Sequence, residues 1–413
     1  MKYFDERVAF AVQNLWVMPN AQMGAEALKR LKEAADDGVA DAYYFLGRCF
    51  SGSCFVDPMF SFAENDDLAN EYYDKSILMG SAVGMFGAMR VGGYKPPKGT
   101  FIHPPYNSIK EVWDAVNEYV EAGNTFCMYM VGNAYFYGDV MDFLGINPTT
   151  VPDFATFERY EHDWIMRAID LFGRCINAGM YSALPNLINI YSNEHPGLPP
   201  QPQKVKELEE FGVQRGINRY EGIAGRRLYD AGQYVAADEM LRRALAHGNK
   251  SNIYWLGKMH TYNGQLQLDL PLAKHCFELA LMSEYDNIGS WNNLGQIYFY
   301  GGQGIQPDYY KAFDMLRKAY EGGNDWGTDM YGTCFLKGLG GALVDYARAK
   351  ELFLLRQDKP LSVIGLGEIY AYGLGVPENI SAAMKCWNKY PNDPRVIENK
   401  KNFQKTMFGW KRK

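Results

Sequence analysis

Two short patterns of small and apolar residues alternate along the chain. The first reads small-x-x-x-apolar-Gly-x-x-aromatic. It occurs as Ala42, Leu46, Gly47, Phe50, then as Cys127, Val131, Gly132, Tyr135, then as Ser290, Leu294, Gly295, Tyr298. Further copies are Gly327, Tyr331, Gly332, Phe335 and Ser362, Leu366, Gly367, Tyr370. Weaker copies run Ala82, Phe86, Gly87 with Arg90, and Asn252, Leu256, Gly257 with His260. Steps of four place the small, apolar and aromatic members on one stripe of a helix. A glycine inside a helix costs ~1 kcal/mol relative to alanine. Its return at one position predicts a close helix contact at every copy.

The second pattern reads small-x-x-x-large apolar-x-x-small-x-x-x-Gly. It occurs as Ala27, Leu31, Ala34, Gly38, as Ala69, Tyr73, Ser76, Gly80, and as Ala168, Phe172, Cys175, Gly179. It returns as Ala237, Leu241, Ala244, Gly248 and Ala312, Leu316, Ala319, Gly323, while Ala273, Phe277, Ala280 lack the glycine. This predicts an amphipathic helix ended by a left-handed glycine. The unit is therefore a helix, a loop, a second helix and a glycine turn. In the C-terminal copies the loop is glycine-rich, as in 300–308, 337–345 and 372–378. Asp308, Asp345 and Glu378 close these loops four residues before an alanine, where an acid suits a helix N-terminus.

These motifs closely resemble the Sel-one-like repeat, a relative of the tetratricopeptide repeat with a longer glycine-rich internal loop. The resemblance is strongest over 252–390 and fair over 25–138. It is weak over 183–216, where Leu187 and Ile188 replace the Leu-Gly pair and Pro185 interrupts the helix. It implies an all-α fold, a right-handed α/α superhelical solenoid of about nine helix pairs. It also implies an adaptor or partner-binding role. The expected organisation is an N-terminal half-array over 1–182, an irregular repeat or bend over 183–217, and a regular array over 218–413. Insertions break the period at about 53–66, 93–110, 139–160 and 192–203. A capping helix is expected over 395–413, with Phe403, Met407 and Trp410 at helical spacing among basic residues.

The first-pattern helix carries a second stripe, three before, one after and five after its glycine. The members are Tyr129, Asn133, Tyr137, then Tyr254, Lys258, Tyr262, then Asn292, Gln296, Tyr300. They continue as Asp329, Thr333, Lys337 and as Ile364, Glu368, Tyr372, and the first copy gives Tyr44 and Arg48. The family resemblance implies that this helix lines the concave face. The stripe then forms a ladder of tyrosines, amides and mixed charges, a composition suited to a protein partner.

Composition narrows the function classes. The chain has 413 residues, 47% of them apolar, too many for disorder. A single core of that length would be unusually large, which agrees with an array. The net charge is -6, from 42 basic and 48 acidic residues, and argues against a nucleic-acid partner. Seven cysteines, an odd and sparse number, fit reduced thiols in the cytoplasm. Asp5, Glu6 and Arg7 stand where an export signal would be apolar. No apolar run is long enough to predict a membrane span.

Catalytic motifs are not found. The sequence has no H-E-x-x-H and no C-x-x-C, and Cys49 and Cys54 lie five apart. Histidines 103, 162, 195, 247, 260 and 275 fall in different units, and His260 takes the aromatic slot of its repeat. The glycine runs at 301–304 and 338–341 lack the Lys-Ser/Thr of a phosphate loop and follow no strand pattern. No cofactor is expected. The expected function is a non-enzymatic scaffold or adaptor holding one unidentified protein partner in its groove. Two alternatives stand beside it. One is an immunity or inhibitor protein that neutralises a cognate bacterial toxin or effector. The other is an enzyme with a site in 139–216, for which Glu161, His162 and Cys175 are the raw material.

Overall fold

The computed structural model describes residues 2–52, 64–282, 287–407 and 409–413. Cys54 and most of the insertion expected at 53–66 lie outside them. The chain divides into two compact units, Met1–Gly212 and Val213–Lys413. Each is a solenoid segment of helix hairpins, and the expected all-α class holds.

The first unit opens with Glu6–Val12, continued by a π-helical turn at Gln13–Val17, and packs it on Gly24–Asp36. Hairpins follow from Ala40–Phe50 with Asp66–Leu78, Ala82–Ala88 with Ile109–Glu121, and Thr125–Tyr137 with Phe154–Asn177. Leu184–Ser192 follows, and Pro202–Gln214 runs across the boundary at Gly212. Among the described residues the second unit holds five hairpins. They are Asn218–Asp230 with Tyr234–Ala246, Ile253–Met259 with Leu270–Leu281, and Asn287–Tyr300 with Tyr309–Glu321. Thr328–Lys337 with Tyr346–Leu355 and Pro360–Tyr372 with Ile380–Trp387 follow.

One contact recurs in these hairpins. In all of them but Ala82–Ala88 with Ile109–Glu121, the first-helix glycine faces the large residue of the second helix. A Cβ added at Gly47 would lie 2.6 Å from the Tyr73 ring, and one at Gly132 2.9 Å from Phe172. The distances are 2.6 Å to Leu241 at Gly225, 3.1 Å to Phe277 at Gly257 and 2.7 Å to Leu316 at Gly295. At Gly332 and Gly367 they are 2.9 Å to Phe353 and 2.2 Å to Trp387. Carbon atoms rest about 3.5–4.0 Å apart, so even a methyl group would force the facing side chain or its helix to shift. Around these contacts Ala273, Phe277, Leu294, Ala312, Leu316 and Leu352 form one buried cluster. The second-helix glycines Gly38, Gly80, Gly179, Gly248 and Gly323 all take the left-handed conformation expected of them.

The caps follow the sequence with one correction. Asp308 and Asp345 accept the backbone N–H groups of Lys311 and Arg348 at 3.1 and 2.9 Å. In the last hairpin the cap is Asn379, which accepts from Ala382 N–H at 2.9 Å. Glu378 stands one residue too early for that bond.

The C-terminus is a second correction. A helix runs only over Pro394–Lys400. Phe403–Thr406 then pairs antiparallel with Gly409–Arg412, Phe403 opposite Arg412 and Thr406 opposite Gly409. On a helix Phe403, Met407 and Trp410 would share a face and need one broad apolar partner. The last hairpin offers a single slot. Phe403 fills it, 5.7 Å from both the Trp387 and Tyr372 rings. Met407 is left 91% exposed, and Gly409 takes φ 121°, a region L side chains avoid.

Candidate functional site

In the second unit three successive first helices, Ile253–Met259, Asn287–Tyr300 and Thr328–Lys337, turn one stripe toward a cavity of about 840 Å³. Six residues of the sequence-derived ladder line it: Tyr254, Lys258, Asn292, Gln296, Tyr300 and Asp329. The i, i+4, i+8 spacing puts them on one face, and the glycine contacts fix how closely each first helix approaches its own second helix.

Their settings differ. Tyr254 is buried, with its ring 5.6 Å from Phe277, and its hydroxyl accepts Asn293 Nδ2 at 3.4 Å. The Lys258 ammonium lies 4.8 Å from the Trp255 ring centroid and 5.7 Å from that of Tyr229. Tyr300 is 47% exposed, and desolvation pushes its phenol up to about 12. Asp329 is only 7% exposed, and burial pushes its carboxyl above the ordinary range. That rise persists although the Met330 N–H and the charges of Arg356 and Lys359 pull the other way. Asp329 Oδ1 and Asn292 Oδ1 are both buried without a hydrogen-bond partner among the described residues.

The remaining ladder residues are not in this cavity. Tyr262 is half-buried, stacks edge-on against Tyr300 and donates its hydroxyl to the Gly301 carbonyl. Lys337 pairs with Glu368. Glu368 also accepts Asn399 Nδ2 at 3.2 Å, and the Tyr372 hydroxyl donates to Asn399 Oδ1 at 3.2 Å. In the last repeat the chain's own helix Pro394–Lys400 thus sits on the ladder. In the first unit Tyr44 packs in the core at 1% exposure instead of lining a groove, and Arg48 donates to its hydroxyl at 3.3 Å. Tyr129 is half-buried beside Phe172, Asn133 accepts Asn186 Nδ2 at 2.6 Å, and Tyr137 is exposed.

Several lining residues escaped the ladder, among them Tyr229, Asn324, Trp326 and Lys359. All four sit at or beyond the ends of first helices, so helical periodicity does not mark them. Trp326, an exposed tryptophan in a connecting turn, carried the one usable signal.

The raw material for catalysis in 139–216 is dispersed. His162 Nδ1 lies 2.8 Å from the Pro196 carbonyl. Burial pushes the Cys175 thiol up to about 12, and its Sγ points to the Thr125 carbonyl at 3.4 Å. His260 is buried, with Nδ1 2.7 Å from the Gln267 carbonyl and Nε2 2.8 Å from Asp238 Oδ1, the packing role expected of it. Among the described residues no group of three His, Cys, Asp or Glu is arranged to hold a metal ion. No described helix is long and apolar enough to cross a membrane.

The repeated glycine contact and glycine-rich loops have a counterpart among known proteins. The Sel1 repeat model matches residues 40–81, 125–145, 253–284, 292–324, 329–355 and 360–389. The chain carries six Sel1 repeats. The cavity is built largely on three of them, 253–284, 292–324 and 329–355. The hairpin of Asn218–Asp230 and Tyr234–Ala246 lies outside the matches, yet its Gly225–Leu241 contact is the same. Sel1 repeat proteins generally mediate protein–protein interaction. A solved protective antigen of uropathogenic Escherichia coli strains, displaying an SLR fold, is 18% identical, with 96% of this chain and 86% of that chain covered and a TM-score of 0.42. A Sel1 repeat protein from Oxalobacter formigenes is 16% identical, with 97% and 94% covered and a TM-score of 0.35. No curated protein sequence matches the chain.

Proposed function

We propose that this Sel1 repeat protein is a non-enzymatic scaffold that holds a protein partner in the groove of its second unit. The observation that carries the reading is the convergence of six ladder residues, from three consecutive repeats, on one cavity walled by tyrosines and side-chain amides. Amides offer both a donor and an acceptor, as a peptide group does. Tyrosines add area with a hydrogen-bonding tip. The last repeat supports the reading from within, because its ladder residues Glu368 and Tyr372 already hold a polypeptide segment through Asn399. Preformed helices bind with little ordering cost. A cytoplasmic location belongs to the same reading and rests on the sparse cysteines.

The test is site-specific photocrosslinking in the cell of origin. A benzophenone side chain is placed at Gln296 in the cavity or, as control, at Tyr310, an exposed tyrosine of a second helix. The expected result is a discrete adduct from position 296 that is missing from position 310. The purified partner should then bind the full chain directly. Identical products from both positions, or none from 296, would overturn the reading.

A further inference from the structure

Two residues that line the cavity each carry a buried acceptor with no hydrogen-bond partner among the described residues. Asp329 Oδ1 and Asn292 Oδ1 lie at the same ladder position of consecutive repeats, and both side chains line the cavity. Gly327 gives the Asn292 oxygen its place, since a Cβ there would lie 2.6 Å from it. A buried acceptor without a donor costs roughly 1–3 kcal/mol, more when charged. Asp329 is the one carboxylate among the described lining residues.

The nearby cations are committed elsewhere. Arg356 directs its fork to Asp358, with Nε and Nη2 each 3.0 Å from a carboxylate oxygen. Lys359 lies 3.8 Å from that same carboxylate. Lys258 sits over the Trp255 and Tyr229 rings. None of these donates to Asp329 Oδ1.

Two oxygens without a donor call for an occupant that brings donors to both. A guanidinium has five N–H donors in a planar fork and no acceptor. It satisfies two separated oxygens at once and stacks on aromatic faces, which an ammonium does less well. The half-exposed Tyr300 lines the same cavity and supplies such a face. Building on the scaffold reading, we infer that the partner inserts an arginine side chain between Asn292 and Asp329, and that this residue anchors the complex.

The probe is N-acetyl-Gly-Arg-Gly-amide, titrated into the full chain beside its lysine, citrulline and norleucine counterparts. Binding is followed by the NMR shift of the Trp326 indole N–H, assigned with Trp326→Phe. The arginine peptide should bind about tenfold or more tighter than the isosteric, uncharged citrulline peptide. Asp329→Asn should erase that preference, and Asn292→Ala should weaken arginine binding several-fold, with thermal unfolding still cooperative in both. Equal binding of the arginine and citrulline peptides, arginine binding unaltered by Asp329→Asn, or no binding of the arginine peptide would overturn the inference. The scaffold reading fails separately. Trapping of a partner at Gln296 without any arginine preference ends only the inference, and arginine preference without a trapped protein ends only the scaffold reading.

Discussion

At the residue scale, Asp329 is out of balance with its surroundings. Its carboxyl is raised by burial, so the folded state holds the proton more tightly than the unfolded chain does. Stability from such a group is full below the usual carboxylate range and is lost as pH rises through the folded value. Asp329→Asn should therefore match the parent's melting temperature at low pH and exceed it at neutral pH. Paired thermal melts across that range check this, and parallel curves would show that the carboxylate is compensated. Asp358 has the opposite sign, because Arg356 holds its carboxyl down to about 2. Its contribution is present above the usual range and is lost as pH falls toward that value, so Asp358→Asn should blunt the loss of stability in acid. Spacing alone placed Asn292, Gln296 and Asp329 on one face. It did not reveal which oxygen lacks a donor, since that depends on side chains from three hairpins. Tyr44 and Tyr254 show the same limit. Tyr44 is swallowed because Gly87, on the next first helix, leaves room for its hydroxyl, where a Cβ would lie 2.2 Å away.

At the element scale, a glycine's worth depends on what stands opposite it. Gly332→Ala should destabilise the fold by about 1–3 kcal/mol through overpacking against Phe353, and Gly332→Leu by more. Gly173 is helical too, within Phe154–Asn177, but a Cβ there would meet nothing within 4 Å. Gly173→Ala should stabilise by about 0.5–1 kcal/mol. Chemical denaturation of the variants separates the two cases, and a shared sign would refute the packing assignment. The paired patterns made this contact legible, because the glycine and its large partner recur in register. The C-terminal turn was not legible, since Phe403, Met407 and Trp410 fit a helical stripe equally well. What decided it was the single slot between Trp387 and Tyr372.

At the scale of the whole molecule, the two units are each built by stacking, so an end exposes apolar surface unless something covers it. In the second unit that cover is Phe403, seated on Trp387 and held by its strand pair. Phe403→Ala should cost about 3 kcal/mol and lower the melting temperature by several degrees. A chain ending at Lys400 should in addition bind more of a dye specific for exposed apolar surface. An unchanged melt in both would mean that the cover is dispensable. The six family matches were legible because each repeats a compact motif, whereas the segment over 183–216 gave no such signal.

In every hairpin but that of Ala82–Ala88 the glycine contact closes within the hairpin itself. The array can therefore be lengthened by whole modules, much as a chain gains links. Splicing a second copy of 287–323 after the first would add another Asn292 and Gln296, with the new copy taking over the close approach that Gly327 now makes to Asn292 and Leu316. On this view the number of side chains offered to a partner is a matter of gene duplication before it is a matter of point mutation.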